Sequence, residues 1–247
     1  MTWTTRPRSD FGTLQAVRAG EGPCVLLLHG VGLRAEAWGA QIDALSPDHQ
    51  VIAPDMGPPA RSLSEYTRRV AEGMDGPAWV VGHSMGAMMA LDLAVTYPKK
   101  VLGVAALNAI YRRSPEATKA VRARAALLDG RTNPDPETPL TRWFGAAPSP
   151  ERDACAQWLT TVDPAAYRAA YTVFAHEDGP ARLDTLTCPA LFLTGAEEPN
   201  STPAMSHAMA AAAPQGTAHI IEGAAHMMPM THPAAVNAYL RAFIQGA

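Results

Sequence analysis

The most constraining feature of the chain is the stretch Trp79-Val80-Val81-Gly82-His83-Ser84-Met85-Gly86. An apolar run enters a Gly-x-Ser-x-Gly turn, and a helical pattern follows from 87 to 97. Glycines at 82 and 86 remove the side chains that would collide where a strand turns sharply into a helix. A turn of this kind needs a strand buried on both faces and a helix laid against it, which points to an α/β architecture. The remaining sequence agrees. Short apolar runs at 25–28, 51–53, 79–81, 101–107, 191–194 and 219–221 alternate with helix-length segments. Runs that are apolar on both faces are what a parallel sheet covered by helices requires. An opening strand at 13–17 is expected to pair at an antiparallel edge. The expected fold class is a doubly wound, mostly parallel α/β sheet.

One stretch breaks the rhythm. Between 112 and 186 no comparable strand run occurs. Helical patterns cover 118–128, 149–159 and 164–176, separated by a breaker-rich segment with prolines at 134, 136 and 139. Pro148-Ser149-Pro150 and Asp163-Pro164 supply helix starts, since proline suits the first helical turn. The expected organisation is a core made of 1–111 and 187–247, with 112–186 as a helical cap inserted after the sixth strand. Such a cap would lie over the carboxyl edge of the sheet, where open α/β folds bind ligands. A separate helical domain is the alternative.

The same turn that constrains the fold makes Ser84 a candidate nucleophile. A strained backbone there lifts the hydroxyl clear of the sheet and sets the Met85 N–H beside a developing oxyanion. Upstream, the apolar run 25–28 ends in His29-Gly30-Val31-Gly32. With the Ser84 turn, this His-Gly loop resembles that of the α/β-hydrolase superfamily, a likeness that runs over residues 12 to 245. The resemblance implies that the N–H of Val31 is a second oxyanion donor, and that neither a metal nor an organic cofactor is used. His29 and His83 are read as structural, and Asp55, in a Pro-Asp turn, likewise.

The resemblance also supplies a base and an acid. Gly223-Ala224-Ala225-His226 looks like the family's Gly-x-x-His loop after the last strand, and His226 is preferred to His232, which reads as the start of the final helix. After Leu191-Phe192-Leu193-Thr194-Gly195, relatives carry aspartate three positions past the glycine, and this chain carries Glu198, with Glu197 as the rival. The chain order Ser84, Glu198, His226 is that of the family. A carboxylate holds the imidazole tautomer and stabilises its cation.

Motifs in the cap, Arg142-Trp143-Phe144 and Asp163-Pro164-Ala165-Ala166-Tyr167, are similar to those of 3-oxoadipate enol-lactonase-like hydrolases and small carboxylesterases. That implies a serine hydrolase of esters or lactones. Arg142, Trp143, Trp158, Tyr167 and Met227 are the candidate substrate-binding residues, and Arg142 either recognises a carboxylate or lies at the surface. Carbon–carbon bond hydrolysis and a low-turnover receptor are the alternatives. The expected partner is a small-molecule ester or lactone. With 17% charged residues, 47% apolar and a formal charge of −3, nothing favours nucleic acid. No signal peptide and no membrane-length apolar run is seen, so cytoplasmic residence is expected. Cys24, Cys155 and Cys188 lack the spacing of a zinc site or disulfide framework.

Overall fold

The computed structural model describes residues 5–133, 135–180 and 182–246. Pro134, Ala181 and the outermost ends of the expected 1–111 and 187–247 segments lie outside these. In chain order the described elements are β1 (Ser9–Phe11), β2 (Leu14–Ala19), β3 (Cys24–Leu28), α1 (Gly39–Leu45), β4 (Gln50–Pro54), α2 (Leu63–Gly73), β5 (Ala78–His83), α3 (Met85–Thr96) and β6 (Val101–Leu107). Then come α4 (Pro115–Ala126), α5 (Glu137–Phe144), α6 (Pro150–Thr161) and α7 (Pro164–His176). The chain closes with β7 (Ala190–Gly195), α8 (Pro203–Ala212), β8 (Gly216–Ile221), α9 (Met228–Thr231) and α10 (Pro233–Gln245).

The described strands form one eight-stranded sheet in the order β1-β2-β4-β3-β5-β6-β7-β8. The pairs β1–β2 and β2–β4 are antiparallel, and all others are parallel. Alternation along each strand divides the core into two layers. Leu26, Val80, Val104 and Phe192 pack on one side with α2, α3 and α8 residues such as Val70, Met89 and Met209. Their strand neighbours Val25, Val81, Ala105 and Leu191 pack on the other side with Ile42 of α1 and Leu240 of α10. Helices on both faces of a parallel sheet are the doubly wound arrangement that the apolar runs predict. The strand order reverses direction around β3, whose neighbours are β4 and β5. That reversal opens a crevice at the carboxyl ends of the strands.

Two elements differ from expectation. The opening strand spans Leu14–Ala19 and is second from the edge, because the short β1 lies outside it. β1 has only three residues, two of them exposed, and so carries no alternation to read. In the breaker-rich segment a helix, α5, begins at Glu137 despite Pro136 and Pro139. Both prolines fall at its start, where backbone N–H groups have no helical partner to lose. Among the described residues no helix is long and apolar enough to cross a membrane.

Candidate active site

Ser84 sits between β5 and α3 with φ 57° and ψ −120°, a left-handed conformation that L-residues avoid. Its surroundings hold it there. Ser84 N–H donates to Leu107 O at 2.9 Å, and Ser84 O accepts from Ala87 N–H at 3.0 Å. A Cβ at Gly82 would stand 2.1 Å from Gly86 O, and one at Gly86 would stand 2.0 Å from Leu28 O. The two glycines therefore allow α3 to approach β5 and β3 at backbone distance. A residue kept in so sparsely populated a region persists only where the surroundings over-determine it.

His226 lies in the loop after β8. Its Nδ1 donates to Glu198 Oε2 at 2.6 Å. Two donors fix the backbone of the same residue: His226 O accepts from Asn108 Nδ2 at 2.7 Å and from His83 Nε2 at 2.8 Å. Asn108, at the end of β6, also accepts from Gly195 N–H at 3.3 Å, and its positive φ of 49° suits asparagine. It thus ties the ends of β6 and β7 to the histidine loop. Burial, with the adjacent His226, lowers the His83 pKa to about 3, so His83 is neutral and donates through Nε2. Trp143 stacks on the His226 ring at 5.7 Å between centroids and 22° between planes.

Glu198 is 3% exposed. Burial alone would raise its pKa, but His226 and the N–H groups of Asn200 (2.8 Å) and Ser201 (3.3 Å) hold it down, to about 2. It is a carboxylate whose charge is fully engaged. Glu197 is exposed and its N–H is spent on Ala224 O, so the geometry separates the two glutamates. His232 takes the position before α10, as expected.

Ser84 and His226 open onto one cavity of about 200 Å³, together with Gly30, Val31 and Asn108. Among the described residues no hydrogen bond to the Ser84 hydroxyl is formed, and such bonds commonly tighten only when substrate binds. The N–H groups of Val31 and Met85 are not taken up by another described group. Both are donors available to an anionic oxygen, Met85 by virtue of starting α3. His29 is buried with Nδ1 on Gly30 O at 2.8 Å. Asp55 is bound by Arg8 Nε at 2.7 Å and by Ala35 N–H at 3.0 Å, away from this cavity.

Of the cap residues singled out by sequence, Arg142, Trp143 and Tyr167 line the cavity. Trp158 and Met227 do not. Trp158 is 4% exposed and packs in the apolar core with Leu159 and Tyr167, and Met227 is 1% exposed among the same core residues. Both side chains turn inward into the core instead of lining this cavity. Tyr171 lines the cavity as well, and so do Arg113 and Arg124, which no sequence motif marks. Arg124 Nε donates to Tyr171 Oη at 3.1 Å. Arg113 donates to Glu177 O and, at 3.1 Å, to Phe174 O, with its guanidinium 4.6 Å from the Phe174 ring centre. Only the folding of α4 against α7 brings these arginines to one wall, and no local motif announces it.

Comparison with known proteins follows the same lines. Residues 25–239 match the family model described as the Alpha/beta hydrolase family. The chain is 37% identical, over 96% of its own length and 96% of the relative's, to an (E)-2-((N-methylformamido)methylene)succinate hydrolase of Acinetobacter baylyi. In structure it is similar to an esterase of Thermogutta terrifontis determined with malate bound, with a TM-score of 0.85 and 26% identity over 97% of this chain and 98% of the other. An enol-lactonase of Burkholderia xenovorans shares the fold, with a TM-score of 0.83 and 22% identity over 97% and 100% of the two chains. The family match over most of the chain, the near full-length relative and the strand–turn–helix around Ser84 lead to one conclusion: the chain belongs to the alpha/beta hydrolase family and is a hydrolase.

Proposed function

We propose that the chain is a serine hydrolase that cleaves an acyl bond, an ester or lactone, in a small substrate bearing carboxylates. The observation that carries this reading is the make-up of the cavity. Its lining joins Ser84 and His226 to Arg113, Arg124 and Arg142, and includes no described Asp or Glu. Three arginines in the lining of a small cavity favour an anionic ligand. In this reading residues 112–186 are the cap that closes the cavity over the core formed by 1–111 and 187–247.

The reaction follows from the groups present. His226 Nε2 takes the Ser84 proton as Oγ attacks the carbonyl carbon, and the N–H groups of Val31 and Met85 stabilise the tetrahedral oxyanion. His226 returns the proton to the leaving oxygen as its bond to the acyl carbon breaks. Water then attacks the acyl-enzyme, gives a proton to His226, and Ser84 leaves with that proton. Glu198 stays ionised throughout and keeps Nδ1 protonated, so that Nε2 is the free acceptor. Its lowered pKa suits this role.

A second reading is an amide bond in place of the ester. It is favoured by the Acinetobacter baylyi relative, whose named substrate is a succinate carrying an N-methylformamido group. The same acyl-enzyme route serves, with a nitrogen leaving group protonated by His226.

A fluorophosphonate probe is expected to label the wild type at Ser84 and to leave Ser84→Ala unlabelled. Retained labelling in the variant would remove the nucleophile assignment. Turnover is then compared across a hemisuccinate ester, a carboxylated lactone, an (amidomethylene)succinate and a β-diketone. A clear preference for the uncharged compounds would count against the dicarboxylate reading.

A further inference from the structure

Three described cavities surround α7, and one side chain lines all of them. Tyr167 faces the cavity of Ser84 and His226, a second cavity with His29 and Asp55, and a third with Arg124, Asp129 and Asn133. Its position is fixed early in the helix. Asp163 caps α7 by accepting the Ala166 N–H at 2.7 Å, and Pro164 starts it, so Tyr167 stands rigidly in the first turn.

The ring is seated on the loop that carries Val31. Gly32 has φ +75°, and a Cβ there would lie 2.8 Å from Tyr167 Cε2, 3.2 Å from Cδ2 and 2.7 Å from Leu159 Cδ2. The Cδ2–Cε2 edge of the ring therefore lies against the loop. Tyr171 stacks behind it at 5.9 Å and 25°. Tyr167 is only 6% exposed, and among the described residues its hydroxyl makes no hydrogen bond yet keeps some accessible surface. Arg142 shares two of the three cavity walls with it.

We propose that Tyr167 is a substrate-contacting, specificity-determining residue whose hydroxyl donates a hydrogen bond to a carboxylate of the substrate beside the Val31–Gly32 loop. This rests on the dicarboxylate reading given above. Burial pushes the phenol pKa upward, so the hydroxyl is present as a donor across the ordinary pH range. The bound carboxylate then supplies the acceptor that the folded chain lacks, while Arg142 supplies charge. The ring itself seats the loop whether or not substrate is present.

Tyr167→Phe separates the two jobs, since it keeps the ring and removes only the donor. Succinate is the probe, titrated calorimetrically into the wild type and the variant after thermal melts have shown both to be folded. A hydrogen bond to a charged group corresponds to roughly a tenfold to hundredfold weakening in the variant. An affinity within about threefold of wild type overturns the assignment, as does a wild type that does not bind succinate. Fluorophosphonate labelling of Ser84 in the same samples reports separately on the serine-hydrolase reading, which stands or falls without reference to Tyr167.

Discussion

The two walls of the cavity are built on different terms. On the sheet side, the groups assigned to chemistry are tied down before any ligand arrives. Ser84 is held through Leu107, His226 through Asn108 and His83, and Glu198 through Asn200 and Ser201. On the helical side Arg113 is held by the carbonyls of Phe174 and Glu177, but other polar groups are left open. Arg142 and the Tyr167 hydroxyl have no partner among the described residues, and Arg124 engages Tyr171 through Nε alone. A half-buried guanidinium without a counter-charge costs desolvation, which a bound anion would offset. The contrast teaches a division of labour. Preorganised dipoles on a rigid sheet edge serve a transition state, whereas unpaired cations on helices serve recognition of whatever anion fills the space.

Three measurements can break that contrast. The largest effect is expected at the acid. Glu198→Gln should lower kcat by about a thousandfold or more, because the amide no longer holds the imidazole tautomer or its cation. Glu197→Gln should stay within about threefold of wild type, and the opposite ranking would transfer the role. Steady-state kinetics on any turned-over substrate decides it.

The next effect is on stability and concerns the sheet side alone. The Glu198 pKa is held below its ordinary value of 4.5, at about 2. A depressed carboxylate stabilises the fold fully above its unfolded value, and that contribution is lost as pH falls through the folded one. Lowering the pH from about 4.5 to about 2 should therefore remove up to about 3 kcal/mol. Urea titrations across this window should show a steeper loss in wild type than in Glu198→Gln. Parallel curves for the two proteins would contradict it.

The smallest effect is expected on the helical side. Arg142→Leu should lower kcat/KM for a hemisuccinate ester about tenfold to a hundredfold, and leave a neutral acetate ester within about threefold. An equal loss on both would make Arg142 part of the common machinery and erase the difference between the walls.

How much of this was legible before folding depends on the range over which each constraint acts. The elbow at Ser84 is written in five consecutive residues, because a left-handed serine flanked by close backbone approaches demands glycine at 82 and 86 and tolerates little else. The strands are legible for a similar reason. A buried parallel strand must be apolar on both faces, and residues 101–107 say so directly. The choice between Glu197 and Glu198 is different. The sequence offers two adjacent carboxylates, and the turn after β7 buries one against His226 while exposing the other.

The helical insertion is the least legible part of the sequence. Trp158, Arg113 and Arg124 there, like Met227 in the loop before α9, are ordinary residues on ordinary stretches, and nothing in their spacing says which way each one faces. The sequence by itself determined the sheet and the strand–turn–helix at Ser84, since these follow from local backbone geometry and strand periodicity. Tertiary structure alone decided which cations and which phenol meet at the cavity. That outcome depends on how α4, α5 and α7 rotate and pack against one another, and packing between helices sums many weak contacts that no short motif encodes.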